Sequence, residues 1–413
     1  LLLGSKVAVA LLIAGVAGFF FYRGSPGFTA VIPFGTLNNF VLTAVPLFIF
    51  MGEVFARCGA SDMIYSAASK WLAWAPGGLL HTNIAACAVF ASVSGSSPAT
   101  AATIGSVAIP TMKARNYDRR LVLGSVAGGG TLGILIPPSI TMIIYGMLSQ
   151  TSVGALFAGG VFPGVMLSLM FMTFIAIRVI EDPKLAPHEK SPTVKELFSS
   201  LIGMWPLVIM AIVVLGGIFG GVMTPTEAAA LGSSVAVIIG LIMRRLTWQV
   251  FRESILEAVK TSCMVLFILM GAFVFAGFLA DTRVPSTLAT LVAKLGWSTW
   301  PVLLSIFVLY LFLGCFIDPG SMFVITIPAI LPILKHFGVD LVWFGVVAVV
   351  LSEIGMITPP MGLNLFVVQG ISGDEFGEVV MGIVPYFILM LVAIAVLSIF
   401  PSIILWFPTL LGL

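Results

Sequence analysis

One helix-breaking sequence occurs twice in this chain. Gly133-Ile134-Leu135-Ile136-Pro137-Pro138 returns 222 residues later as Gly355-Met356-Ile357-Thr358-Pro359-Pro360. The same interval carries Pro110 to Pro332, Gly160 to Gly382 and Pro163 to Pro385, so more than 50 residues are duplicated in register. Upstream, Leu47-Phe48-Ile49-Phe50-Met51-Gly52 returns as Leu266-Phe267-Ile268-Leu269-Met270-Gly271 at a spacing of 219. Breaks of this kind free backbone groups from helical pairing, and in a bilayer such groups survive only in protein or against a cavity. A matched pair in two halves of one chain points to a transporter's binding site.

The breaks lie in membrane sequence. Of 413 residues 60% are hydrophobic and 9% charged, with a mean hydropathy of +1.17, which excludes a soluble globular domain. Apolar runs predict spans near 6–22, 40–57, 155–178, 204–221, 225–243, 262–280 and 379–401. No signal peptide is evident, and a start at Leu1 inside an apolar run leads us to expect further sequence upstream.

Placement of the 19 Lys and Arg residues sets the expected orientation. With the 111–121 loop (Lys113, Arg115, Arg119, Arg120) in the cytoplasm, tracing the spans puts 15 basic residues inside and four outside: Arg23, Arg283, Lys294 and Lys335. The repeat mate of that loop, 333–343, then falls on the opposite face, so the repeats are predicted to be inverted. Cys58, Cys87, Cys263, Cys315, His81, His188 and His336 show no metal-ligand spacing. The basic clusters follow topology and give no support for nucleic-acid binding. No nucleophile and base pair, phosphate-binding loop or HExxH occurs, which disfavours an enzyme.

The first repeat is expected over 1–180, with a hairpin at 85–110 and a broken helix at 122–150. A polar cytoplasmic linker follows at 181–203. The second repeat is expected over 204–413, with a hairpin at 301–332 and a broken helix at 341–370. Residues 247–260 alternate charged and apolar positions at helical spacing. They read as an interfacial arm, a polar extension of the next span being the alternative. The hairpins are inferred because 85–110 is too polar in its middle to face lipid, and because its mate carries Asp318-Pro319-Gly320 at the corresponding tip.

Each tip is expected to face its break. Sodium takes several hard oxygens, and freed carbonyls with small hydroxyls supply them. A first sodium site is expected from Ser92, Ser94, Ser97, Gly133, Ile136 and Pro137, a second from Gly314, Asp318, Gly355, Thr358 and Met361. Substrate is expected between the tips, near Ser97, Thr100, Ser139 and Asn364. Asp318 and Glu353 are the deepest carboxylates. Asp318 reads as a cation ligand or coupling group with a helix cap as the alternative, and Glu353 as a helix cap or an ion-coupling group. Gly128-Gly129-Gly130 reads as close packing beside the break.

Ser94-Gly95-Ser96-Ser97-Pro98-Ala99-Thr100-Ala101, Gly133 to Ser139, and Asp318-Pro319 with Thr358-Pro359-Pro360-Met361-Gly362-Leu363-Asn364 together resemble the large membrane subunit of a tripartite ATP-independent periplasmic (TRAP) transporter. The resemblance covers nearly the whole chain. It implies an all-α polytopic membrane protein with the inverted-repeat ion-transporter fold: two re-entrant hairpins and two broken helices, arranged as a scaffold and an elevator-type transport domain. It implies uptake of an organic acid across the bacterial inner membrane, driven by Na+ as coupling ion, two or more per cycle. The partners it implies are a soluble periplasmic substrate-binding protein and a small four-helix membrane subunit, which some members carry fused upstream. Sialic acid is favoured over C4-dicarboxylates on general similarity alone. The alternative is a self-sufficient sodium and carboxylate symporter without a binding protein.

Overall fold

The computed structural model describes residues 7–25, 27–187, 189, 192–294 and 296–413. Lys6, at the start of the first expected span, and His188 and Lys190 of the linker lie outside them. Every regular element among the described residues is helical. Five of the seven expected spans are single helices: Val7–Arg23, Val153–Glu181, Pro225–Ile242, Trp248–Asp281 and Phe376–Ile399. The other two, Val41–Arg57 and Trp205–Phe219, each follow a shorter helix across a bend, Thr29–Leu37 at 60° and Lys195–Gly203 at 52°. In the second pair Pro206 sits in the opening turn, where its missing N–H costs nothing but where the preceding helix must stop.

Residues 247–260 do not form a separate arm: Thr247 caps the unbroken 34-residue helix Trp248–Asp281. At 1.5 Å per residue that helix is about 51 Å long. The hydrocarbon core is only about 30 Å thick, so the charged opening turns project past it as a polar extension of the span. Val7–Arg23 lies along this helix and is fastened to it by an Arg23–Asp281 ion pair. Ala44–Arg57 packs on Pro225–Ile242 through small residues, with Ser233 donating its hydroxyl to the Leu47 carbonyl at 2.8 Å. Glu227 closes a capping box with Thr224 at the start of Pro225–Ile242.

The first hairpin is Leu79–Ser94 with Ser97–Ala114, and the first broken helix runs from Arg119–Gly130 to Ile140–Ser149. The second hairpin is Thr299–Gly314 with Pro319–His336, and the second broken helix joins Leu341–Met356 to Leu363–Ser372. The halves interlock crosswise. Ser97–Ala114 packs on Leu363–Ser372, and Pro319–His336 packs on Ile140–Ser149. Phe376–Ile399 lies against Arg119–Gly130. The Gly run makes this last contact close, since a Cβ at Gly128 would stand 2.6 Å from Tyr386 Cδ1, while Gly129 and Gly130 press on the first hairpin, where a Cβ would stand 2.9 Å from Cys87 Sγ and 2.8 Å from Ala101 Cβ.

Candidate functional site

At the first tip the chain reverses through Gly95, whose φ of 62° is left-handed and suits a residue without Cβ. Ser96 then caps the returning helix by accepting the Ala99 N–H. The first break tightens through the 3₁₀ turn Thr131–Gly133, passes the cis Pro137-Pro138 bond and restarts at Ser139, whose hydroxyl accepts the Met142 N–H. Tip and break touch directly. A Cβ on Gly133 would lie 2.6 Å from the Ser96 carbonyl oxygen and 2.8 Å from Ser97 Cα, and one on Gly95 2.9 Å from the Pro138 oxygen.

The second pair repeats the arrangement. The break carries a cis Pro359-Pro360 bond. A Cβ on Gly355 would lie 2.5 Å from both Cα and O of Gly314, and the Met361 N–H donates to the Cys315 carbonyl at 3.1 Å. Asp318 caps Pro319–His336, accepting the Ser321 N–H at 3.0 Å and the Ser321 hydroxyl at 2.6 Å. Its alternative reading, the helix cap, is therefore present in the structure. The environments differ: Pro137, Pro138 and Ser139 are buried, whereas Pro359, Pro360 and Met361 are exposed.

The structure also joins the halves where Ser97 and Asn364, expected together between the tips, meet, and adds Glu353, which sequence reasoning did not place there. Ser97 Oγ receives the Asn364 Nδ2 hydrogen at 2.8 Å and faces two acceptors, Glu353 Oε2 and the Gly130 carbonyl, each at 2.9 Å. Ser97, Glu353 and Asn364 are fully buried. Glu353 thus lies inside Leu341–Met356 and reaches across to the first hairpin, instead of capping its own helix. The only sequence signal was a carboxylate in an otherwise apolar run.

The other expected residues divide into two groups. Gly133 lies in the first contact, and Gly314, Gly355 and Met361 lie in the second. Ser92 and Ser94 are half-buried and spend their hydroxyls on the Val89 and Ser96 carbonyls at 2.7 and 3.3 Å. Ile136 donates its N–H back to Leu132, and Thr358 its hydroxyl back to Ile354. Thr100 and Ser139 are buried, Thr100 donating to the Ser96 carbonyl at 2.8 Å. A groove of about 610 Å³ elsewhere, lined by Phe162, Met166, Met170, Phe174, Leu389 and Ile403, is almost wholly apolar. Its chemistry suits lipid or a hydrophobic surface, not a charged solute.

A duplicated all-helical membrane chain, with each helix break closed by the tip of a re-entrant hairpin, is a secondary transporter of the inverted-repeat kind. The family model for the tripartite ATP-independent periplasmic transporter, DctM component, matches residues 1–403, and the chain belongs to that family. It is 36% identical to the C4-dicarboxylate TRAP transporter large permease protein DctM of Pseudomonas aeruginosa, over 93% of this chain and 90% of that protein. It is 33% identical to the sialic acid TRAP transporter large permease protein SiaM of Vibrio cholerae, over 98% and 95%. With the isethionate TRAP transporter permease protein DctMQ of Oleidesulfovibrio alaskensis it shares 34% identity over 98% of this chain, which spans 64% of that longer protein. The YdaH transporter of Alcanivorax borkumensis has the same fold, with a TM-score of 0.63 at 14% identity, covering 96% of this chain and 97% of that one. The chain is accordingly a multi-pass permease of the bacterial inner membrane.

Proposed function

We propose that this permease imports an organic anion by sodium coupling, with the two tip-and-break pairs as its ion sites. The observation that carries the reading is the direct backbone contact of each tip with its own break, Gly133 on Ser96 and Gly355 on Gly314. Sodium bound at such a contact ties tip to break. Carbonyls of Gly133, Ile136 and Pro137 with oxygens of Ser92, Ser94 and Ser97 serve the first ion. Carbonyls of Gly314, Gly355, Thr358 and Met361 with Asp318 serve the second. The substrate anion lies between the tips, served by Ser97, Thr100, Ser139 and Asn364. The hairpins and breaks, interlocked crosswise, then move together as an elevator past the scaffold formed by Val7–Arg23, Ala44–Arg57, Pro225–Ile242 and Trp248–Asp281.

The partners in this reading are a small membrane subunit and a periplasmic binding protein. A DctMQ relative longer than this chain supports fusion of permease components in the family. The names of the relatives span C4-dicarboxylate, isethionate and sialic acid, all organic acids, so an anionic headgroup is the shared requirement. Sialic acid is the first substrate we propose and a C4-dicarboxylate the second. In proteoliposomes carrying the permease and its partners, uptake of labelled substrate should require an inward sodium gradient and the binding protein. Uptake that survives replacement of sodium by choline would sink the coupling. Uptake without the binding protein would establish a self-sufficient symporter instead.

A further inference from the structure

We propose that Gly52 is a positioning residue for transport: the point of the scaffold on which the first hairpin tip seats, and from which it lifts when the hairpins and breaks move. The proposal rests on the elevator reading above and adds the place where fixed and moving parts bear on one another. Gly52 closes the upstream part of the duplication, Leu47-Phe48-Ile49-Phe50-Met51-Gly52, a motif to which the ion sites give no role.

Ala44–Arg57 presents two faces at helical spacing. Leu47 and Met51, four residues apart, meet Pro225–Ile242: the Leu47 carbonyl accepts the Ser233 hydroxyl, and a Cβ on Gly232 would stand 2.7 Å from Met51 Sδ. That face belongs to the scaffold. Phe48 and Gly52, also four apart, form the other. The Phe48 ring lies 6.4 Å from that of Phe157 in Val153–Glu181. A Cβ on Gly52 would stand 3.1 Å from the Val93 carbonyl oxygen and 3.5 Å from Ser94 Cα. Helix and tip therefore meet backbone to backbone. Val93 and Ser94 end Leu79–Ser94, directly before the chain reverses at Gly95.

The second half lacks this seat. Gly271, the mate of Gly52 at the 219 spacing, is taken up inside the scaffold, where a Cβ would stand 2.4 Å from the Ala8 carbonyl oxygen of Val7–Arg23. Phe316, the mate of Ser94 at the 222 spacing, is 47% exposed. One glycine of the pair thus packs two scaffold helices together, and the other holds a tip that carries proposed ion ligands. Glycine suits a contact that must open and close. It leaves only dispersion between the two backbones, each atom pair contributing little, whereas a side chain at 52 would stand in the path of the tip at every passage.

The test is uptake by proteoliposomes carrying the permease and its partners, with the best imported of labelled sialic acid, a labelled C4-dicarboxylate and labelled isethionate. Initial rates are taken per amount of folded protein over a range of sodium. Gly52→Val should lower the maximal rate by about tenfold and Gly52→Ala by less, with the sodium concentration for half-maximal uptake staying within about twofold. Gly232→Ala crowds the same helix from its scaffold side. It should lower the thermal midpoint and leave the maximal rate per folded protein at the wild-type value. Gly52→Ala carries the test if Gly52→Val fails to fold. A wild-type maximal rate in the folded Gly52 variants would overturn the seat, as would an equal loss of rate in Gly232→Ala. A raised sodium requirement at an unchanged maximal rate would overturn it too, assigning Gly52 to ion binding instead. Wild-type uptake that survives choline in place of sodium would refute the sodium coupling alone, and the rate comparison would still decide the seat.

Discussion

Replacing Gly355 with alanine directs a methyl group at backbone that cannot swing aside. Its Cβ would stand 2.5 Å from both Cα and O of Gly314. Carbon contacts normally settle at about 3.5 to 4.0 Å, so tip and break must separate by roughly 1 Å. Overpacking of this kind costs about 1 to 3 kcal/mol. If the cost falls on the ion-holding arrangement, sodium affinity drops by about 5- to 150-fold, at tenfold per ~1.4 kcal/mol. Two controls calibrate the effect. Gly314→Ala meets Gly355 Cα at 3.1 Å and should cost less, and Gly370→Ala meets nothing within 4 Å. In a helix interior the latter change stabilises by about 0.5 to 1 kcal/mol. The assay is the sodium concentration for half-maximal uptake, read beside the thermal midpoint of the purified protein. If Gly355→Ala and Gly370→Ala require the same sodium, the contact plays no part in ion binding.

Ser97→Ala removes a hydroxyl that serves three groups and leaves Asn364 Nδ2 and the Gly130 carbonyl buried without it. About 1 to 3 kcal/mol of stability should be lost for each group left unpaired. Thermal unfolding and uptake should fall together, whereas Ser92→Ala should spare stability. In the 373–375 loop, burial alone would raise the Asp374 carboxyl, but hydrogen bonds from Lys113 and Arg119 outweigh it and hold the group below its ordinary range. A carboxyl depressed by folding contributes stability above its unfolded-state pKa and loses it as pH falls through the folded one. Thermal midpoints should therefore drop on acidification through the carboxylate range, and less steeply in Asp374→Asn. Glu189→Ala frees Arg115 and Tyr117, which it holds at 2.6 and 3.1 Å. The stability loss should stay under about 1 kcal/mol, as for exposed pairs, while limited proteolysis of the linker quickens.

Much of this architecture was legible because in a bilayer the cost of unpaired backbone dominates. Apolar length located the spans, and paired Pro and Gly located breaks whose in-register duplication gave each hairpin its mate. Three things escaped for physical reasons. The pattern of 248–260 is the same whether a helix lies in the interface or leads into a span, so its continuity with Trp248–Asp281 was not encoded in periodicity. Asp318-Pro319 carries a cap signature, acid followed by proline in the first turn, as readily as an ion ligand, and the structure shows the cap. The meeting of Ser97 with Glu353 spans 256 residues, and repeat spacing pairs like with like within the duplication. It says nothing about which unlike positions cross over.

The basic loop between the first hairpin and the first broken helix has a history as well as a place. Lys113 and Arg119 end up on Asp374, at 3.0 and 2.7 Å, and Arg120 on Glu378 at 2.9 Å. Those carboxylates lie some 260 residues downstream. During synthesis the loop therefore meets the membrane with its positive charge uncompensated, which is when orientation is decided. Once the second half is made, Asp374 and Glu378 offset two of these three charges, Lys113 and Arg119 sharing one carboxylate. The cue that orients the nascent chain is thus spent as a latch in the finished protein, and little net charge is left there to feel the membrane voltage when the permease moves.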